Sequence, residues 1–205
     1  MDTRIGFGWD SHAFKPGVPL RIGGMTLDYP EGLAGHSDGD VLLHAITDAM
    51  LGSVAAGDIG SYFPPGDPRW KDADSSIFLK LALEELQHAG YQLVNVDTTL
   101  VLAAPKIGPV AGEMRSRVAE LLGVDLDQVS IKAKTPEGLN LDNVAQCHAV
   151  VLVEQVSDSD ELKSMSAVIE SQRQLEDVVD DLLASVHGVP KKRGEPPVYD
   201  TEDIT

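Results

Sequence analysis

A single cysteine leaves this 205-residue chain unable to form an internal disulfide. That excludes a disulfide-stapled scaffold, and Cys147, set in the apolar stretch VAQCHAVVLV, reads as a structural thiol suited to a reducing compartment. Basic residues are also scarce: 16 Lys and Arg stand against 33 Asp and Glu, a formal net charge of −17. Such a field repels a phosphate backbone, so no nucleic-acid partner is expected. Small phosphorylated ligands are not excluded, and divalent metals are the most direct means of overcoming the field locally. Apolar runs stay far short of the ~20 residues that span a bilayer, and MDTRIGFGWD lacks the basic-then-apolar pattern of a secretory leader. The sequence therefore predicts no membrane segment and a cytoplasmic location.

With 42% hydrophobic residues the chain can bury one good core, and one domain plus an appendage is expected rather than two domains. Composition changes near residue 156. Residues 157–205 hold 12 of the 33 acids and 5 of the 16 basic residues, so the tail carries −7 and the body −10. In the body, RIGFGWDSHAF reads as a strand and LRIGGMTLDY as two short strands around Gly23-Gly24. A helix follows, with Ser37 as N-cap, Asp40 at N3, an apolar stripe through Val41, Leu42, Ala45, Ile46, Ala49 and Met50, and Gly57 as its end. SSIFLKLALEELQHA predicts a second helix stopped by Gly90, LVNVDTTLVLAA a strand, and PVAGEMRSRVAELL a third helix stopped by Gly123. VSIKAK and VAQCHAVVLVEQ are the closing strands, separated by the loop TPEGLNLDN. This irregular order favours an α+β fold, a mixed β-sheet covered by helices, over a doubly wound nucleotide fold. In the tail, Ser157 or Ser159 can cap a helix in which Met165, Val168, Gln172, Leu175, Val179, Leu182 and Val186 follow 3-4 spacing up to His187-Gly188 and Pro190. The expected organisation is a body over 1–156, a helical extension over 157–188 and an extended or disordered end over 189–205.

GWDSHAF, residues 8–14, sets Asp10 and His12 two apart and hence on the same side of an extended chain, among Trp9, Ala13 and Phe14, which favour burial. Alone, such a pair is more often structural, with Asp10 capping a turn and His12 bonding a carbonyl. HSDGDVLLHAITDA, residues 36–49, adds His44 with Asp40 and Asp48 four residues to either side, on one helical face, where a carboxylate can orient the imidazole. Asp10, His12 and His44 together supply two imidazoles and one carboxylate with a fourth tetrahedral position open, the ligand set of a catalytic zinc site. The competing reading makes His44 a satisfied core residue.

GWDSHAF, HSDGDVLLHAITDAMLG, GDIGSYFP, APK and KAKTPEGL occur in the order, and at nearly the spacing, of the 2-C-methyl-D-erythritol 2,4-cyclodiphosphate synthase family, over about residues 4–155. This resemblance implies a homotrimeric enzyme of the non-mevalonate isoprenoid pathway. It would convert 4-diphosphocytidyl-2-C-methyl-D-erythritol 2-phosphate to the cyclic diphosphate and release CMP, by attack of the 2-phosphate on the β-phosphorus. Matched position by position, Asp10, His12 and His44 become zinc ligands, and Glu137 the holder of a second ion, magnesium or manganese, with Thr135 contacting phosphate. His36 and Ser37 match the 2-phosphate site; Ser37, read as opening a helix, has N–H groups near it that favour anions. Asp58, Ile59, Gly60 and Phe63 match the methylerythritol pocket. Leu102, Lys106, Ile107, Ala133 and Lys134 match the cytidine and α-phosphate pocket, contributed by a neighbouring subunit, and Asp48 a residue supporting the metal-ligand helix.

The chain departs from the family at three places. Where members read F-P-D-T-D it has Phe63-Pro64-Pro65-Gly66-Asp67, losing an acid that holds substrate hydroxyls. A run of three threonines becomes Lys134-Thr135-Pro136, and Pro136 removes a backbone donor and keeps Thr135 extended. A loop of the form G-F-x-G-R-G-E-G is replaced by the shorter NLDNVA, without the arginine that faces the central cavity of family trimers, where isoprenoid diphosphates bind. Pro65 and the altered threonine run leave open a metal-dependent phosphoesterase acting on another substrate, and the added tail a non-catalytic metal-binding assembly module whose function lies in that tail.

Overall fold

The computed structural model describes residues 2–157. The helix and extended end expected in the tail beyond Ser157 lie outside the described residues. Residues up to Val156 belong to one unit, built from β1 (Thr3–Pro16), β2 (Leu20–Ile22), β3 (Met25–Leu27), β4 (Glu31–Leu33), α1 (Val41–Ser53), α2 (Ile59–Tyr62), α3 (Ser76–His88), β5 (Tyr91–Val101), α4 (Ala111–Leu122), β6 (Val129–Lys134) and β7 (Val144–Gln155). Five strands form one sheet in the order β4-β1-β7-β5-β6. Every pairing in it is antiparallel except β5 with β6. This is the mixed sheet of an α+β fold. The two closing strands, residues 129–134 and 144–155, have the expected bounds, whereas β4 and α2 carry too few residues for a periodicity and were not foreseen.

Alternation along β1 decides which way its chemistry points. Gly6, Gly8, Asp10, His12 and Phe14 share the face toward α1, and Ile5, Phe7 and Trp9 the opposite one. Of the three residues expected to be buried, only Phe14 is, at 8% exposure; Trp9 is 48% exposed, and Ala13 is exposed too, because both lie on the outer face. Ile5 (71%), Phe7 (62%) and Val150 (41%) join Trp9 in an uncovered apolar surface.

Two glycines bring α1 down onto the strand. A Cβ at Gly6 would lie 1.7 Å from the Ala49 carbonyl oxygen, and one at Gly8 would lie 2.0 Å from that of Ala45. Helix backbone thus rests on strand backbone, and His44, the neighbour of Ala45, is set beside Asp10. Gly8→Ala is expected to push the helix outward and destabilise the fold by roughly 3 kcal/mol, the upper range for overpacking, with a parallel loss of metal binding. Chemical denaturation of the two proteins measures the difference, and equal stability would show that the contact is soft.

The start of α1 differs from the sequence expectation. Its N-cap is Asp40, not Ser37: the Asp40 carboxylate accepts from the N–H groups of Leu42 (3.2 Å) and Leu43 (3.1 Å). It also accepts from Gly23 (2.9 Å) and Gly24 (2.7 Å), which turn the β2–β3 ribbon with positive φ. Fully buried, the carboxylate has its pKa pushed up by desolvation despite those donors. The helix ends at Ser53 with Val54 as C-cap, so Gly57 punctuates the next turn rather than the helix. α3 and α4 end as expected, before Gly90 and Gly123, both with positive φ.

Candidate active site

β1 and α1 bring three metal-competent atoms together. Asp10 Oδ2 lies 2.9 Å from His12 Nε2 and 2.9 Å from His44 Nδ1, and the two nitrogens are 3.2 Å apart. A tetrahedron with ligand bonds of about 2.0–2.1 Å has edges of roughly 3.3 Å. The donor set and its spacing therefore fit zinc, and it is the one such cluster of three or more metal-competent side chains among the described residues. Burial opposes ionisation of Asp10, but hydrogen bonds from His12 and His44 outweigh it and hold the carboxyl well below the usual range. For His12, burial favours the neutral ring; the hydrogen bond and charge of Asp10, with the Ala34 backbone, prevail and raise its pKa.

Neither the Asp40 nor the Asp48 carboxylate hydrogen-bonds the His44 ring, although Asp48 lies close enough to interact with its charge. Asp40 is consumed by four backbone N–H groups. Asp48 Oδ1 accepts from the Ile59 N–H at 2.8 Å, tying the GDIG segment to α1. Burial raises its pKa, against the Ile59 bond and with help from the nearby charges of Asp58 and Asp10. His44 Nε2 instead faces Ser75 Oγ at 2.8 Å and Ser37 Oγ at 3.1 Å. Ser75 went unforeseen, since 31 residues separate it from His44 and ADSS reads only as a helix start.

The three ligands open into a cleft of about 220 Å³. His36 and Ser37 form one side, the His36 ring being fixed by its 2.9 Å contact with the Asp67 carbonyl. Ile59 and Gly60 form another, at the start of α2. Phe63, Trp70 and Phe78 make an aromatic wall, with Phe63 centred 4.3 Å from Phe78 and 4.8 Å from Trp70. Pro65, at the position where the sequence lacks an acid, lines the cleft as well. Asp58 is not among the lining residues; it caps α2, accepting from Ser61 N (2.8 Å) and Oγ (2.7 Å), bonds that lower its pKa.

The other expected site residues gather elsewhere. Leu102 and Ile107 are buried at 3% exposure each, while Lys106, Ala133, Lys134, Thr135 and Glu137 are exposed. The Leu102 N–H donates to the Lys134 carbonyl at 3.1 Å, joining the two segments. Glu137 adopts φ +49 between Pro136 and Gly138, and its carboxylate contacts the Thr135 hydroxyl. Strand pairing sets Ser11, Gln146, Val101 and Lys134 in one row across β1, β7, β5 and β6. Three strand spacings, about 14 Å, thus separate this cluster from the Asp10–His12 end of the sheet.

The YgbB family signature matches residues 3–154. The chain belongs to the YgbB family. It is 60% identical over 152 residues to the 2-C-methyl-D-erythritol 2,4-cyclodiphosphate synthase of Koribacter versatilis, a match spanning 74% of this chain and 98% of that one. The enzyme of the same name from Moorella thermoacetica is 51% identical over 153 residues, spanning 73% of this chain and 94% of the relative. A solved structure of 2C-methyl-D-erythritol-2,4-cyclodiphosphate synthase in a CDP-bound form superposes with a TM-score of 0.70 at 38% identity, covering 74% of this chain and all of that one. The YgbB-family region of the chain contains the Asp10–His12–His44 cluster, the aromatic cleft and the Thr135–Glu137 segment.

Proposed function

We infer that the protein is a 2-C-methyl-D-erythritol 2,4-cyclodiphosphate synthase, a phosphorus–oxygen lyase of non-mevalonate isoprenoid biosynthesis. The observation that carries this is the convergence of Asp10, His12 and His44 at the mouth of a cleft, in a chain 60% identical to a synthase along nearly that enzyme's whole length. The substrate is 4-diphosphocytidyl-2-C-methyl-D-erythritol 2-phosphate. An oxygen of its 2-phosphate forms a bond to the β-phosphorus, the bond from that phosphorus to the bridging oxygen breaks, and CMP leaves with the electron pair. No water is consumed and the chain forms no covalent intermediate, so positioning and charge neutralisation carry the rate.

His36 and Ser37 hold the 2-phosphate at the cleft wall, and Ile59, Gly60 and Phe63 hold the methylerythritol moiety, with Asp58 shaping their turn. Pro65 leaves the hydroxyl grip to backbone groups. Asp10, His12 and His44 would hold zinc, which would supply Lewis-acid polarisation of a phosphate oxygen, and Glu137 would hold magnesium or manganese, which would supply neutralisation of the diphosphate. Leu102, Lys106, Ile107, Ala133, Lys134 and Thr135 receive the cytidine and α-phosphate.

The reading includes a homotrimer with sites between subunits. Two features support it: the ~14 Å separation of the two half-sites within one chain, and the uncovered face bearing Ile5, Phe7, Trp9 and Val150, an apolar patch of the kind that marks an interface. A reducing, cytoplasmic setting suits the free thiol of Cys147, which is fully buried and whose pKa burial pushes far up. No helix among the described residues is long and apolar enough to cross a membrane.

The direct test is to purify the full chain, measure bound zinc, and assay the cytidyl substrate. CMP and cyclic diphosphate in equal amounts are expected; a linear phosphate product would overturn the cyclase assignment. Because 152 residues of this chain cover 98% of the Koribacter relative, removal of residues 158–205 is expected to leave turnover within about twofold. Loss of activity in a folded, zinc-loaded truncation would make the tail part of the enzyme.

A further inference from the structure

Behind His44 runs a chain of hydrogen bonds whose direction is fixed. Ser75 is fully buried, and its Oγ lies 2.8 Å from His44 Nε2 and 2.5 Å from Asp38 Oδ1. The same carboxylate accepts from the Ser75 N–H at 3.1 Å through Oδ2 and from the Asp40 N–H at 3.2 Å through Oδ1, with Arg21 Nη1 at 3.7 Å from Oδ2. A carboxylate only accepts and a hydroxyl has one proton, so Ser75 must donate to Asp38. Its remaining lone pairs face His44, so Nε2 carries a proton; across the ring Nδ1 faces the Asp10 carboxylate at 2.9 Å, a contact it would give up to a bound metal while Nε2 keeps its proton. Ser37 cannot reverse this by donating to Nε2, because an unprotonated Nε2 would then meet the Ser75 lone pair at 2.8 Å.

We propose that Asp38 and Ser75 are positioning residues that hold the proton of His44 on Nε2, so that Nδ1 is the nitrogen presented to the metal. Resting on the metal site proposed above, this extends it to the atoms that set its tautomer. Outer partners of a metal-binding imidazole fix its ring and proton and typically alter metal affinity ten- to a hundredfold. Arg21, on β2, completes the chain at the surface, pairing with both Asp38 and Asp74.

The prediction is unusual in its ordering. In Asp38→Asn two donors, the Ser75 N–H at 3.1 Å and Arg21 at 3.7 Å, favour the side-chain oxygen on the Oδ2 side over the single Asp40 N–H at 3.2 Å on the Oδ1 side, so the amide points its protons at Ser75 Oγ. Ser75 then turns its own proton toward His44, and the proton of the neutral ring moves to Nδ1, the nitrogen zinc needs. Ser75→Ala merely removes the constraint. The near-isosteric Asp38→Asn is therefore expected to weaken zinc binding ten- to a hundredfold, more than Ser75→Ala does, in competition with a chromophoric chelator. The deciding measurement is two-bond proton–nitrogen correlation of histidine-labelled, full-length wild-type protein, with and without zinc. A protonated His44 Nε2 is expected in both states. An unprotonated Nε2 in either state, or wild-type zinc affinity in both folded variants, overturns the proposal. Failure of the wild-type protein to bind zinc would instead overturn the metal site, and the spectrum of the metal-free protein would still report on the proton. That spectrum also decides the matter should either variant fail to fold.

Discussion

His44→Ala is expected to empty the proposed metal site and to reduce CMP release by about a thousandfold or more, the upper range for loss of one electrostatic contact in a reacting centre. The size of the effect follows from the ligand count. Only three side chains converge, and removing Nδ1 leaves Asp10 and His12, too few to retain zinc against buffer. The fold should survive, because α1 is held by Gly6, Gly8 and its buried aliphatic residues rather than by the imidazole, which sits at the cleft beside Phe78. Metal analysis of the purified variant, with circular dichroism to confirm folding, makes the measurement. Full zinc occupancy in folded His44→Ala protein would remove His44 from the site.

Glu137→Gln should give the opposite pattern: zinc retained and cyclisation lowered roughly 10²- to 10³-fold, because a neutral amide no longer holds the ion that offsets the diphosphate charge. Zinc is expected to stay because Glu137 follows β6, three strands across the sheet from the β1 that carries two of the three candidate ligands. The same pair of variants tests the shared site. If each active site combines the zinc half of one subunit with the Glu137 half of its neighbour, dissociating and reassembling equal amounts of His44→Ala and Glu137→Gln restores about one quarter of the sites by random assortment in a closed ring. If both halves belong to one chain, mixing restores nothing, and the intersubunit reading fails. Wild-type turnover in Glu137→Gln alone would remove that residue from catalysis.

Much of the candidate metal site is legible in the sequence. Asp10 and His12 declare themselves through the period of two in an extended segment, and His44 through its place on a periodic helix. Their support was misread for one reason: spacing shows who can reach a side chain, but not who has already claimed it. Asp40 and Asp48 are correctly spaced around His44, yet both are committed to backbone N–H groups, Asp40 at the helix start and ribbon turn, Asp48 at Ile59. The real partner, Ser75, reaches His44 only because α3 packs on α1. Similarly, GDIG resembles a bare turn in one dimension; Asp58 makes it a short helix in three.

Local physics was enough to place the long elements. Strand alternation, apolar stripes at helical spacing, and glycines able to adopt positive φ at helix ends are properties of neighbouring residues, so the sequence alone determined β1, α1, α3, α4, β6 and β7 and two chemical groups on one side of β1. What only the tertiary structure decided depends on contacts between distant segments. The register of β1 on β7 and the bare backbone at Gly6 and Gly8 set how closely α1 descends, and so bring His44 Nδ1 to 2.9 Å from Asp10. Strand order, which no local pattern encodes, puts Lys134 and Glu137 across the sheet from that centre. The face of Trp9 is decided in the same way: an indole prefers burial, but alternation ties it to the side opposite Asp10, and the carboxylate and helix occupy the inner one.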